Sequence, residues 1–258
     1  NKFLNNKIVL VTGAGGSIGA ELCRQVIRFN PKTLVCLDIS EFALYSLEQS
    51  FINQKIKTKL IYVVADIRNE ERINKIIERF SPATVFHAAA YKHVPLMETE
   101  NVSEALLNNS LGTYVLAKIC KKYNVKKFVL VSTDKAINPT NIMGASKRLA
   151  EILCNKLQQK NGTKFITVRF GNVLGSSGSV IPLFKKQIAK GGPITVTDPK
   201  ITRYFMAITE AAQLVLQAGL IGEGEDIFVL EMGNPIRILD LAKDMINLSG
   251  FQEGEIEI

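Results

Sequence analysis

Three groups of residues in this chain have the types and spacing to do chemistry. Thr12-Gly13-Ala14-Gly15-Gly16-Ser17-Ile18-Gly19 follows the apolar run Ile8-Val9-Leu10-Val11 and precedes the helix-like residues 20–27. Strand, glycine turn and helix in that order form a phosphate cradle. Glycines at 13, 16 and 19 allow a tight turn, close approach of a pyrophosphate and packing of helix on strand, with the anion at the helix's positive end. The second group, Ser132-Thr133-Asp134-Lys135, ends the apolar run 127–131 and sets a carboxyl beside an amine. Such a pair suits general acid and base steps; taken alone it reads first as a surface turn ahead of Asn138-Pro139. The third is Met143 and Lys147, one turn apart on a helix face, although a thioether is neither acid nor base. His87 and His93 read as structural.

The elements that position these groups alternate regularly. Residues 33–37 form a buried strand ending at Asp38, about 20 residues past the glycine turn, where a carboxylate holds a ribose diol and repels a 2′-phosphate. Ile39-Ser40-Glu41 brings no arginine to meet such a phosphate, so the expected cofactor is NAD rather than NADP. A helix (41–54) leads to a strand (60–64) ending at Ala65-Asp66-Ile67. Asp66 is placed either to meet the adenine or to cap the next helix (70–79). Strand 84–87 opens into Ala88-Ala89-Ala90, small residues that admit a ligand lying along the sheet edge. Segment 101–123 is helical and carries Asn108-Asn109, a pair that lies on a solvated face, bends the helix or binds water. A strand (127–131), a helix (143–160) and a strand (165–168) complete the alternation, which predicts an α/β doubly wound parallel sheet with ligands outside the carboxyl ends of its strands.

From residue 173 the texture changes. Gly175-Ser176-Ser177-Gly178-Ser179 predicts a flexible loop, followed by short strands (194–196 and 227–230) and helices near 180–190, 209–220 and 238–248. The expected organisation is a dinucleotide-binding domain over 1–172 and a smaller substrate-binding lobe over 173–258, with some elements returning to the core.

Bulk composition narrows the function classes. The 258 residues are 47% hydrophobic, enough for a sizeable core, and no apolar run approaches a membrane span. The net charge of +8 is spread over scattered pairs such as Lys121-Lys122 and Lys126-Lys127. That argues against nucleic-acid binding and for attraction of a small anionic substrate. Cys23, Cys36, Cys120 and Cys154 lie in apolar patterns without metal spacing, so buried free thiols and no metal are expected.

Glycine spacing, the Asn of the 101–123 helix and the pair at 143 and 147 together resemble the extended short-chain dehydrogenase/reductases, whose NAD-binding domain is a Rossmann fold. The motifs Ser132-Thr133-Asp134-Lys135-Ala136, Met143-Gly144-Ala145-Ser146-Lys147-Arg148, Arg169-Phe170-Gly171-Asn172-Val173 and His87-Ala88-Ala89-Ala90-Tyr91-Lys92-His93-Val94-Pro95 are similar to those of bacterial nucleotide-sugar 4,6-dehydratases, usually acting on UDP-N-acetylglucosamine. The resemblance implies hydride transfer from sugar C4 to NAD, proton removal from C5 by Lys135, proton donation by Asp134 to the departing 6-hydroxyl, and hydride return to C6. Met143 stands at the family's Tyr, a familiar variant of that branch. Asp134, Lys147 or water relayed through Thr133 then accepts the 4-hydroxyl proton. Cofactor contacts implied are Gly13, Gly15, Gly16, Ser17, Ile18, Gly19, Asp38, Ile39, Asp66, Ile67, Ala88, Ala89, Ala90, Asn109, Ser132 and Lys147. Substrate contacts implied are Lys92, His93, Asn172, Ser179, Val180, Thr195 and Arg203. Arg203 meets the diphosphate, or else forms a surface salt bridge.

The family's closing Gly-Arg-Pro-Gly-rich stretch has no counterpart here, and the first residue is Asn. The resemblance therefore implies a catalytic domain from a longer protein, cytoplasmic or the cytoplasmic part of a membrane-anchored one. The resemblance also implies that this part makes no membrane contact of its own and assembles as a homo-oligomer. A nucleotide-sugar epimerase on the same scaffold and a non-catalytic NAD-binding module are the competing expectations.

Overall fold

Alternating apolar runs and turns settle into one large sheet and two small ones in the computed structural model, which describes residues 3–176, 178–252 and 254–258. Asn1 and Ser177, the latter within the expected glycine–serine loop, lie outside the described residues. The strands are β1 (Ile8–Thr12), β2 (Thr33–Asp38), β3 (Lys59–Val64), β4 (Thr84–His87), β5 (Lys127–Thr133), β6 (Lys164–Phe170), β7 (Asn172–Val173), β8 (Thr202–Arg203), β9 (Phe205–Met206), β10 (Ile227–Val229) and β11 (Ile236–Arg237). The helices are α1 (Ser17–Val26), α2 (Glu41–Gln49), α3 (Glu70–Phe80), α4 (Val94–Met97), α5 (Val102–Ala105), a π-helix (Leu106–Gly112), α6 (Thr113–Lys122), α7 (Ile142–Leu157), α8 (Val180–Ile188), α9 (Ile208–Ile221) and α10 (Ile238–Leu248).

The chain divides into two compact units, Asn1–Phe170 with Ala212–Leu230, and Gly171–Ala211 with Glu231–Ile258. The first carries a seven-stranded sheet in the order β10-β6-β5-β4-β1-β2-β3. Every neighbouring pair in it is parallel. This is the doubly wound Rossmann topology, and its strand order reverses between β1 and β4. Parallel strands need covering on both faces, which is why they read as continuous apolar runs rather than alternating ones. Leu10, Val35, Val85, Phe128 and Phe165 point to one face and are buried with Ile73 and Ile77 of α3, Leu116 and Ile119 of α6, and Ala150 and Cys154 of α7. The alternate residues Phe86 and Val129 face the other way, close against Gly219 of α9. Segment 212–230 belongs to this unit because β10 lies in register on β6, Ile227 opposite Thr167, covering an edge left open by the first six strands.

In the second unit Phe184 and Ile188 of α8 are buried with Ile194 and with Ile238, Met245 and Ile246 of α10. Residues 194–196, expected as a strand, form none. Among the described residues the first of them takes a main-chain partner, Ile194 N–H donating to the Glu257 carbonyl at 2.7 Å. The small strand pairs lie elsewhere, β7 with β9 and β8 with β11.

Candidate active site

The glycine turn is closed by its neighbours. Gly13 has φ +67°, and a Cβ there would lie 2.5 Å from the Ala89 nitrogen at the end of β4. A Cβ on Gly19 would run into the Gly13 carbonyl oxygen. Both positions are therefore restricted to glycine, and Ala88 and Ala89 border the turn across the switch point of the sheet, with Ala90 next in the chain. Gly16 is the N-cap of α1 and supplies no side chain to cap it. The N-terminal N–H groups of Ser17, Ile18 and Gly19 thus form an end suited to a pyrophosphate.

Asp38 closes the turn from the side. Its Oδ2 accepts from Gly15 N–H at 2.9 Å and its Oδ1 from Ser40 N–H at 3.0 Å. A carboxylate has about four acceptor directions, so each oxygen keeps capacity for a ribose hydroxyl. Ile39 beside it is exposed, whereas Ile67 is buried in the core against Gly112. Asp66 does not cap α3; Asn69 does, accepting from Arg72 N–H at 2.9 Å. The Asp66 carboxylate instead accepts from Arg68 N–H at 2.8 Å and from the Arg68 guanidinium, which also reaches Glu104 at 2.8 Å. Burial works to raise the Asp66 carboxyl, but the hydrogen bonds from Arg68 outweigh it and hold the group below the usual carboxylate range.

Asn109 lies in the π-helix, the widened turn frequently found at functional sites. It is fully buried and clamps the chain beyond β4: Oδ1 accepts from Tyr91 N–H at 2.8 Å, and Nδ2 donates to the Tyr91 carbonyl at 2.9 Å and to Ser146 Oγ at 3.0 Å. The clamp fixes the segment leading from Ala88–Ala90 to Lys92 and His93. Both are exposed, and partial burial pushes the Lys92 ammonium below the usual lysine range. His87 is buried between Thr12 Oγ1 (2.6 Å from Nδ1) and Thr113 Oγ1 (2.8 Å from Nε2). Thr113 Oγ1 donates to the Asn109 carbonyl at 2.7 Å. Nε2 of His87 is therefore the protonated ring nitrogen, and Thr12 donates to Nδ1. Burial first, then the nearby Lys147, pushes this imidazole down to about 3. His87 is a neutral strut between glycine turn and π-helix.

The end of β5 carries Thr133, Asp134 and Lys135. Asp134 Oδ1 accepts from Thr133 Oγ1 at 2.9 Å and from Lys135 Nζ at 3.0 Å, with both charged side chains partly exposed. α7 packs against this turn through Gly144, where a Cβ would strike the Lys135 carbonyl. From α7, Lys147 donates to the Val131 carbonyl at 2.7 Å, and burial pushes its ammonium down to about 8. Met143 is buried among Met97, Ala105, Tyr91 and Val94, and its own thioether is neither acid nor base. Ser132 spends its hydroxyl on Glu151 at 2.6 Å. Glu151 is paired with Arg169, and the sequence marks it by no more than its i, i+4 spacing from Lys147.

The remaining expected contacts lie in the second unit. Ser179 is the N-cap of α8, and its buried Oγ has no hydrogen-bond partner among the described residues; Val180 follows as the first helical residue. Asn172 lies in β7. Thr195 Oγ1 accepts from Gln187 at 2.8 Å. Arg203, exposed in β8, donates to the Thr202 carbonyl at 2.8 Å. Among the described residues no cluster of His, Cys, Asp or Glu could hold a metal, and no helix is long and apolar enough to cross a membrane.

The chain is similar to known proteins in sequence and fold. The chain is 53% identical over its whole length to the capsular polysaccharide biosynthesis protein CapD of Staphylococcus aureus, of which it spans 43%. It is 34% identical to a UDP-glucose 4-epimerase of Rickettsia canadensis, matching 97% of the chain and 76% of that protein. Identity is 31% to an inverting UDP-N-acetylglucosamine 4,6-dehydratase of Campylobacter jejuni, over 98% and 76%. The crystal structure of Pen from Bacillus thuringiensis superposes with TM-score 0.92 at 37% identity, covering 99% of this chain and 80% of that one. DesIV, a dTDP-glucose 4,6-dehydratase from Streptomyces venezuelae solved with NAD bound, shares the fold at TM-score 0.86 and 21% identity, over 97% and 83%. The polysaccharide biosynthesis protein family matches residues 9–258, and the chain belongs to that family.

Proposed function

We propose that this chain is the catalytic part of a sugar-nucleotide 4,6-dehydratase that converts a UDP-N-acetylhexosamine, UDP-N-acetylglucosamine first, into its 4-keto-6-deoxy form. The observation that carries the reading is Thr133-Asp134-Lys135 at the carboxyl end of β5, with both neighbours donating to one Asp134 oxygen. The C. jejuni relative supports the substrate class. NAD as resident cofactor is supported by the glycine turn with its uncapped helix end, by Asp38 and by the fold shared with DesIV.

A bound NAD supplies the hydride acceptor for sugar C4 and the donor for C6. The glycine turn takes its pyrophosphate, Asp38 its ribose, and Lys147 the ribose at the nicotinamide end. A 4-ketone acidifies the C5 proton, which Lys135 removes, while Asp134 protonates the departing 6-hydroxyl; a carboxyl and an amine held 3.0 Å apart can split these roles. Met143 contributes shape only, so Asp134, Lys147 or water held by Thr133 takes the 4-hydroxyl proton. Asn172, Ser179, Val180, Thr195 and Arg203 of the second unit, with Lys92 and His93, are the proposed contacts to the UDP-sugar. Leu106, Leu107, Leu111 and Leu149, exposed on the π-helix and α7, support assembly as a homo-oligomer. The reading also implies a cytoplasmic domain.

Mass spectrometry of UDP-N-acetylglucosamine incubated with the full-length protein and NAD should show loss of one water. The R. canadensis relative favours a second reading, epimerisation, which gives a product of unchanged mass with C4 inverted. Unchanged substrate would overturn both.

A further inference from the structure

Two consecutive residues of β5 are gripped by two residues one turn apart on α7. Lys147 holds the Val131 carbonyl at 2.7 Å, and Glu151 holds the Ser132 hydroxyl at 2.6 Å. Thr133, Asp134 and Lys135 follow immediately. Glu151 is 2% exposed, and the same carboxylate accepts from Arg169 of β6, Nε at 2.8 Å and Nη2 at 2.5 Å, and from Arg148 at 3.0 Å. One side chain therefore joins the ends of β5 and β6 to the helix that bears Lys147.

A buried carboxylate is retained only where its hydrogen bonds offset the desolvation cost. Burial works to raise Glu151, but the bonds from Arg169, Ser132 and Arg148 outweigh it and hold it ionised. The groups that interact electrostatically with Lys147 are Glu151 and Cys154 on α7 and His87 on β4; Arg169 on β6 pairs with Glu151, and Asp134 with Lys135 after β5. Glu151 is the buried carboxylate among them, and its charge favours the Lys147 ammonium against burial.

We propose that Glu151 is a positioning residue: it fixes the end of β5 against the face of α7 that bears Lys147, so that Lys147, Thr133, Asp134 and Lys135 meet cofactor and substrate in register. The inference rests on the dehydratase reading for its effect on turnover, but not for its effect on Lys147. It goes beyond the set of groups that touch substrate or cofactor.

The test uses the full-length protein with E151Q and with E151Q/R169Q, the second leaving no unpaired buried guanidinium should the first fail to fold. NAD affinity titrated from pH 6 to pH 10 should lose its basic limb about one pH unit lower than in wild type, a tenfold change in lysine acidity. Turnover should fall about tenfold or more with the KM for the UDP-sugar little changed. A folded E151Q/R169Q with the wild-type basic limb and wild-type turnover overturns the proposal. Wild type that releases no water overturns the dehydratase reading instead, and the NAD titration still decides the role of Glu151.

Discussion

Lys147 and Val131 are joined side chain to main chain, the buried ammonium donating to the carbonyl at 2.7 Å. Burial pushes that ammonium from 10.5 down to about 8. Below pH 8 both folded and unfolded chains carry the charge, and the cost of burying it is fully present. Between pH 8 and 10.5 the folded chain has released a proton that the unfolded chain keeps, so stability rises with pH, by about 3 kcal/mol in total. A reaction that needs the cation declines over the same window. Urea melts of wild type and K147M from pH 7 to pH 10 should show wild type gaining on the variant as pH rises, while the wild-type rate falls. A constant difference between the two would refute the assignment.

His87 gives a second pH dependence, with its own window. Its imidazole, pushed down to about 3, stays neutral in the fold, whereas the unfolded chain protonates near 6.5. As pH falls below 6.5 the unfolded state binds the extra proton and stability declines, by about 3 kcal/mol between pH 7 and pH 4. In H87Q that share of the acid sensitivity should vanish. Stability curves of equal slope for both proteins would show that His87 does not set it.

Asn109 pairs with both main-chain groups of Tyr91, its amide accepting from the N–H and donating to the carbonyl, a donor–acceptor pair that a carboxylate does not offer. N109D would place a buried carboxylate against the Tyr91 carbonyl and cost about 2–4 kcal/mol. Thermal unfolding of N109D and N109A measures it, and the drop should be larger for Asp than for Ala. Equal losses would mean that the clamp contributes packing alone.

Much of the first unit was legible in the chain. Its strands are continuous apolar runs because both faces are covered, and its glycine turn is sterically obliged, as Gly13 against Ala89 shows. Legibility failed where a partner lies far along the chain. Ile194-Thr195-Val196 has β-branched residues but no neighbouring strand, so it stays irregular. Asn109 was visible as a polar residue within a helical pattern, but neither its π-turn nor its clamp on Tyr91, 18 residues away, follows from periodicity. The buried pairing of Glu151 with Arg169 depends on β6 lying beside β5 under α7, which no local pattern encodes. Asp66 carried the signature of a cap, yet Asn69, nearer the helix start, took that role.

Met143 poses the sharpest question for the chemistry, because a phenol at this position would restore an acid–base group one turn before Lys147. The thioether is 4% exposed and packed among Met97, Ala105, Tyr91 and Val94. M143Y must therefore fit a larger, rigid ring and a hydroxyl into a filled apolar lining, which costs about 1–3 kcal/mol. The hydroxyl gains nothing catalytic if the proton already leaves through Asp134, Lys147 or water at Thr133. The variant should unfold at lower temperature than wild type and turn over no faster. Differential scanning calorimetry and initial rates measured on the same preparation decide the matter. A stable M143Y with faster turnover would mean that the missing phenol limits this site, and that the remaining groups only partly replace it.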